Sequence, residues 1–126
     1  MRTWQPVAVH YPDAELVMCA ATRALNIGGV DFVGRELPRQ HGTAVIWNRV
    51  GGRDPLALMQ VRVFAPTPDV AVGVARRLAG ALPGVVRLGF GIFRVSQETG
   101  VTDLGSVPEP LRQMVYEIGL SPERLV

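Results

Sequence analysis

Lysine is absent from the chain: all 13 positively charged residues are arginine. That bias fits a GC-rich coding sequence as readily as a demand for guanidinium contacts to nucleic acid or carboxylate. The formal charge is only +2 and the arginines are scattered, so charge by itself does not indicate a nucleic-acid binder. Cysteine is nearly absent too, and Cys19 alone cannot close an intramolecular bridge, which excludes a disulfide-stapled scaffold. The two histidines, His10 and His41, fall in a predicted arm and a predicted loop with no partner at ligand spacing, so no metal site is expected. No apolar run approaches the roughly 18 residues of a membrane span, and the N-terminal residues have no long apolar core after Arg2. The expectation is a soluble protein made in the cytosol.

Catalytic signatures are missing as well. There is no G-x-S-x-G elbow, and Ser96, Ser106 and Ser121 have no base at recognisable spacing. The lone Gly89-Phe90-Gly91 has Arg94 at the third glycine position and precedes a strand, so it does not read as a phosphate cradle. Asp31, Asp54, Asp69 and Asp103 sit at predicted turns and caps, the ordinary place for aspartate. Cys19 lies within a predicted helix, where a small packing residue is a better reading than half of a Cys/His dyad. No catalytic residue, cofactor or metal is expected, and the chain is read as a non-enzyme.

What is present is a globular composition, 48% hydrophobic and 19% charged over 126 residues, enough for one domain with its own core. The organising stretch is residues 43–82. Residues 43–50 alternate as a strand, with Thr43, Val45, Trp47 and Arg49 on one face and Ala44, Ile46, Asn48 and Val50 on the other. Gly51-Gly52-Arg53-Asp54 predicts a hairpin loop, and Pro55 can only open the next strand. In residues 56–65, Ala57, Met59, Val61, Val63 and Ala65 make one apolar face expected in the core. Leu58, Gln60, Arg62 and Phe64 make a mixed one. Thr67 then caps a helix with Pro68 at its first position and Asp69 in its first turn. Its apolar stripe is Ala71, Val74, Ala75, Leu78, Ala81 and Leu82, its outer face carries Gly73, Arg76, Arg77 and Gly80, and Pro83-Gly84 ends it.

Residues 1–12 read as an extended arm bearing Trp4 and Tyr11. Asp13 caps a first helix to about Asn26, with Ala14, Val17, Met18, Ala21, Ala24 and Leu25 buried, Cys19 and Thr22 on the other side, and Gly28-Gly29 as its stop. A strand is expected over 30–37, another over 88–99 with Gly89 and Gly91 at a bulge, and a loop over 100–110. Residues 111–120 fit both helical and strand spacing, and the bracketing by Pro110 and Gly119 favours the strand. The resulting expectation is a single α+β domain, order α-β-β-β-α-β-β, with two helices on one face of a mostly antiparallel sheet of four to five strands.

On the sheet's other face the alternation places Trp47, Val45, Leu58 and Phe64 among Arg49, Gln60 and Arg62, the mixture of large apolar groups and arginine that subunit interfaces use. Gly73 and Gly80 beside Arg76 offer close approach on the second helix. The candidate subunit interface is therefore Trp47, Leu58, Phe64, Gly73, Arg76 and Gly80.

The passages PDAELVMCAATRAL, VGRELPRQHGTAVIWNRVGG, PLALMQVRVFAPTPDVAVGVARRLAGALPG and LRQMVYEIGL, in that order, resemble the tail terminator proteins of long-tailed bacteriophages, particularly those of actinobacterial hosts. The resemblance covers about residues 12–120 and is most specific at Leu37-Pro38, the Arg49-Val50-Gly51-Gly52 turn and the passage from Ala65 to Asp69. It implies a virion protein with no catalytic residues, forming a hexameric ring at the head-proximal end of the tail tube. There it would stop tube polymerisation and dock the head's connector, so the implied partners are sister copies, the tail tube protein and the connector protein. A central channel would pass DNA, and Arg35, Arg39, Arg49 and Arg53, clustered near one loop and hairpin, are its candidate lining, giving contacts that do not read bases. Alternatives are another connector or tail-completion protein, a basic nucleic-acid-binding module, and a small α+β enzyme.

Overall fold

The computed structural model describes residues 11–89, 91–103 and 111–120, with 102–103 and 111–115 described in backbone only. Helix α1 (Ala14–Leu25) begins at Asp13, whose carboxylate accepts the N–H groups of Glu15 and Leu16 at 2.9 and 3.3 Å. It ends at Asn26, not at the glycines that follow: Asn26 takes the left-handed conformation, φ 50°, which asparagine tolerates better than most residues. Cys19 and Thr22 face inward, contrary to the expected stripe, while Ala24 is exposed. The reason is a second contact surface, since α1 lies against several strands and has more than one side covered.

Strand β1 (Phe32–Gly34) is shorter than expected and pairs in parallel with β2 (Ala44–Gly51). Asp31 ties the two together, its carboxylate accepting the N–H of Thr43 at 2.8 Å while its own N–H donates to the Thr43 carbonyl at 2.8 Å. Strand β3 (Leu56–Phe64) returns antiparallel to β2 through a turn in which Gly52 has φ +87° and backbone packed so near that a Cβ would stand 2.7 Å from the Leu56 carbonyl oxygen. Helix α2 (Pro68–Ala81) starts as predicted, Thr67 Oγ1 accepting the Val70 N–H at 3.3 Å. Ala71, Val74, Ala75, Leu78 and Leu82 are buried, and Ala81 is not.

Two further departures concern the sheet. Residues Gly84–Leu88 form a strand, β4, absent from the expectation, and β5 (Gly91–Gln97) runs back antiparallel to it, so Gly89 lies in a hairpin turn and not at a bulge. A two-residue strand, β6 (Thr102–Asp103), lies within the expected loop, and β7 (Leu111–Gly119) is a strand as favoured. The sheet order is β1-β2-β3-β7-β5-β4, with β6 also beside β7. The expected four to five strands are thus six along one path plus the short seventh. Every pairing except β1 with β2 is antiparallel.

Both helices contribute to one core with Val45, Trp47, Ala57, Met59, Val61, Val63, Phe93, Val95, Tyr116 and Ile118. The β3 face that alternation assigned inward is inward throughout, Ala57, Met59, Val61, Val63 and Ala65 all being fully buried. Tyr11, the described end of the expected arm, packs against this core, and residues 1–10 and 121–126 lie outside the described residues.

Candidate interaction surface

Trp47 does not belong to the outer face. Its ring is fully buried in the chain's own core, 5.5 Å from the Tyr116 ring centroid, with its indole N–H donating to Thr22 Oγ1 at 2.8 Å. Register explains the correction. Arg49 pairs with Met59 but Gly51 pairs with Leu58, so Val50 is an extra residue in β2, and the bulge it makes sets Trp47 opposite Val61 instead of Arg62. Residues directly opposite share a face, and Val45 follows Trp47 inward by pairing with Val63.

The rest of the outer face carries the expected mixture with different members. Leu58 and Phe64 are half-buried there. Arg62 lies 5.7 Å over the Phe64 ring and donates from Nη2 to Asn48 Oδ1 at 3.0 Å, while its Nε is buried without a partner. His41 meets the same ring edge-on, centroids 6.1 Å apart. Ala44 and Ile46 share this face and are fully buried.

At the opposite end of the face a row crosses four strands: Leu56 on β3, Gly119 on β7, Arg94 on β5 and Val85 on β4. Gly119 contributes no side chain, and Arg94 and Leu56 stand on either side of it, each 4.0 Å from where a Cβ would be. Ile92 and Arg87 pair beside this row. Leu56, Val85 and Ile92 are 46%, 55% and 53% exposed, and Arg87 and Arg94 are exposed with them. Sequence reasoning missed Val85, Arg87, Ile92 and Arg94, although a signal existed: V-x-R on one side of Gly89-Phe90-Gly91 and I-x-R on the other is the alternation of a hairpin with one apolar-basic face. Gly73, Arg76 and Gly80 are exposed on the back of α2, and a Cβ at either glycine would meet nothing within 4 Å.

The four arginines proposed to line a channel separate into two kinds. Arg49 is held within the chain, by Asp54 at 3.0 Å and by the carbonyls of Gly51 and Leu56 at 3.2 Å each. Arg35 stands 3.7 Å from both Asp13 and Glu15, and Glu15 also accepts the Arg49 N–H at 3.0 Å. Arg39 and Arg53 are exposed. Cys19 is buried among apolar groups, and that burial pushes its thiol pKa up, the opposite of what a nucleophile needs. No group of three or more His, Cys, Asp or Glu positioned for a metal ion occurs among the described residues, and no helix there is long and apolar enough to cross a membrane.

No family model matches the sequence, and no curated protein matches it. The surface itself therefore carries the functional argument, together with the resemblance already given.

Proposed function

We propose that the chain is a structural subunit of the tail terminator type. Copies of it associate in a ring, hexameric in the proteins it resembles, that caps the head-proximal end of a phage tail tube, halts polymerisation and offers a docking surface to the head connector. The observation that carries the reading is the outer strip of Leu56, Val85 and Ile92, three aliphatic side chains about half exposed on one sheet face with arginine interleaved. Covering each would be worth roughly 1 kcal/mol, and apolar groups mixed with arginine are what subunit interfaces contain. A ring needs a second, different patch to meet the first, and the exposed Gly73, Arg76 and Gly80 of α2 supply one.

In this reading Trp47 has no interface role. A channel lining of basic residues rests first on Arg39 and Arg53, since Arg35 and Arg49 are engaged inside the subunit.

The test is solution mass and negative-stain imaging of the purified protein, alone and with tail tubes, for the natural chain and for a Val85→Asp/Ile92→Asp variant. Rings that seat on one end of the tube and are lost in the variant support the proposal. A natural chain that stays monomeric and never caps a tube removes it. Rings seated elsewhere in the neck would make it another connector or completion protein.

A further inference from the structure

The two borders of the sheet are finished differently. β1 is three residues long, and Arg23 Nη2 donates to the Val33 carbonyl at 2.7 Å, occupying a main-chain acceptor of that strand. Short length and capped backbone groups are how natural sheets keep other chains off an edge. β4, at the opposite border, has neither protection. It runs five residues without proline, its register with β5 is unbroken, and among the described residues its main chain bonds to β5 alone. One row of its N–H and C=O groups is thus available to an incoming strand.

The side chains say what that strand should be. Val86 and Leu88 point to the core side and are only partly buried, so a neighbour alongside β4 would complete their cover with apolar residues at every second position. Val85 and Arg87 point outward, with Arg94 diagonally behind Arg87 on β5. Neither arginine forms an ion pair among the described residues. Acidic residues at the intervening positions would stand beside Arg87 and within reach of Arg94.

We propose that the open border of β4 binds an extended segment of a partner protein as an added antiparallel or parallel strand, its residues alternating apolar and acidic. Main-chain bonds supply the affinity and the alternating side chains the selectivity. The inference does not require ring formation, because its bonds are to the main chain of β4, although the acidic residues of the added strand would meet Arg87 and Arg94, which also flank the outer strip.

The experiment uses the intact chain and three short synthetic peptides: alternating valine and glutamate, alternating valine and lysine, and the valine-glutamate peptide N-methylated on the residues whose N–H would face β4. Amide hydrogen exchange followed by NMR reads which residues are protected. The expected result is slowed exchange confined to β4 with the valine-glutamate peptide, and binding at least about tenfold weaker for the other two. Arg87→Glu/Arg94→Glu, with both changes on exposed side chains, should keep the fold and reverse the preference toward the lysine peptide. Equal binding of the N-methylated peptide, protection outside β4, or no binding by the folded protein would each overturn the proposal. So would protection of β4 that rises with protein concentration and no peptide, since a second copy would then be the occupant.

Discussion

The indole N–H of Trp47 and the hydroxyl of Thr22 form a buried hydrogen bond of 2.8 Å between β2 and α1, and the same hydroxyl donates to the Met18 carbonyl at 2.8 Å. The threonine thus satisfies the indole and is itself satisfied one helical turn back. Thr22→Val keeps the shape but leaves the indole N–H buried without an acceptor, an expected loss of about 1–3 kcal/mol in urea unfolding. In a Trp47→Phe background, where no N–H needs an acceptor, the same change should cost much less. Equal costs in both backgrounds would show that the bond contributes nothing.

The bulge at Val50 makes a prediction about length. Removing Val50 leaves Arg49 opposite Met59 and brings Gly51 into line with Leu58, so the inward set of β2 keeps its face. Removing Asn48 as well as Val50 shifts the residues before them by one position and turns Trp47 and Val45 outward. In a Trp4→Phe background the first deletion should retain a buried, blue-shifted indole emission, and the second should unfold or aggregate.

These two elements also show what the amino-acid order reveals and what it hides. The inward face of β3 is legible because all of its inward positions are apolar and its outward ones are mixed. β2 is not legible in the same way: residues 44–47 are buried on both faces, so alternation offers no orientation, and the bulge that decides it has no signature beyond a glycine pair two residues from Arg49. β4 escaped for a related reason. Its outward Val85 looks like a core residue, so within Gly84–Leu88 only Arg87 marks the outward face, and the alternation is legible only beside the matching Ile92 and Arg94 of β5. The helix caps at Asp13 and Thr67 were legible because each depends on one side chain and the next few N–H groups, a wholly local matter.

Glu15 binds α1 to the far end of β2. Its carboxylate accepts the Arg49 N–H at 3.0 Å and the Asn48 amide at 3.5 Å, with Arg35 at 3.7 Å. Glu15→Ala should lower stability by about 1–2 kcal/mol, and Glu15→Gln by less, since an amide oxygen still accepts. Urea midpoints at fixed pH measure both, and identical midpoints for all three chains would exclude the contact as a stabilising one.

The outer strip separates association from folding. Val85→Asp and Ile92→Asp change side chains more than half exposed, so each should alter subunit stability by no more than about 0.5 kcal/mol. Together they should abolish self-association in sedimentation velocity. A large drop in thermal midpoint at concentrations where the natural chain is monomeric would instead assign both residues to the subunit's own packing.

Alkaline conditions should weaken the fold through Tyr116. Burial holds its phenol pKa above the ordinary value of 10.0, so the native state keeps its proton where the unfolded chain has lost it. Stability is then flat below about pH 10 and falls as pH rises past it. Cys19, raised by burial from 9.0, adds a decline of the same sign that begins earlier. Tyr116→Phe should reduce the slope of unfolding free energy above pH 10 while leaving most of the Cys19 contribution. An unchanged slope would show that the phenol titrates alike in both states.

β7 lies between β3 and β5, yet it is the last of the described strands to leave the ribosome. Until residues 111–119 emerge, the β2–β3 and β4–β5 hairpins have no common neighbour, and a nascent chain must wait with both flanks uncovered. Folding is therefore deferred until residues 111–119 have emerged, and a ribosome stalled before residue 111 would hold two separate ribbons that are targets for chaperones and proteases.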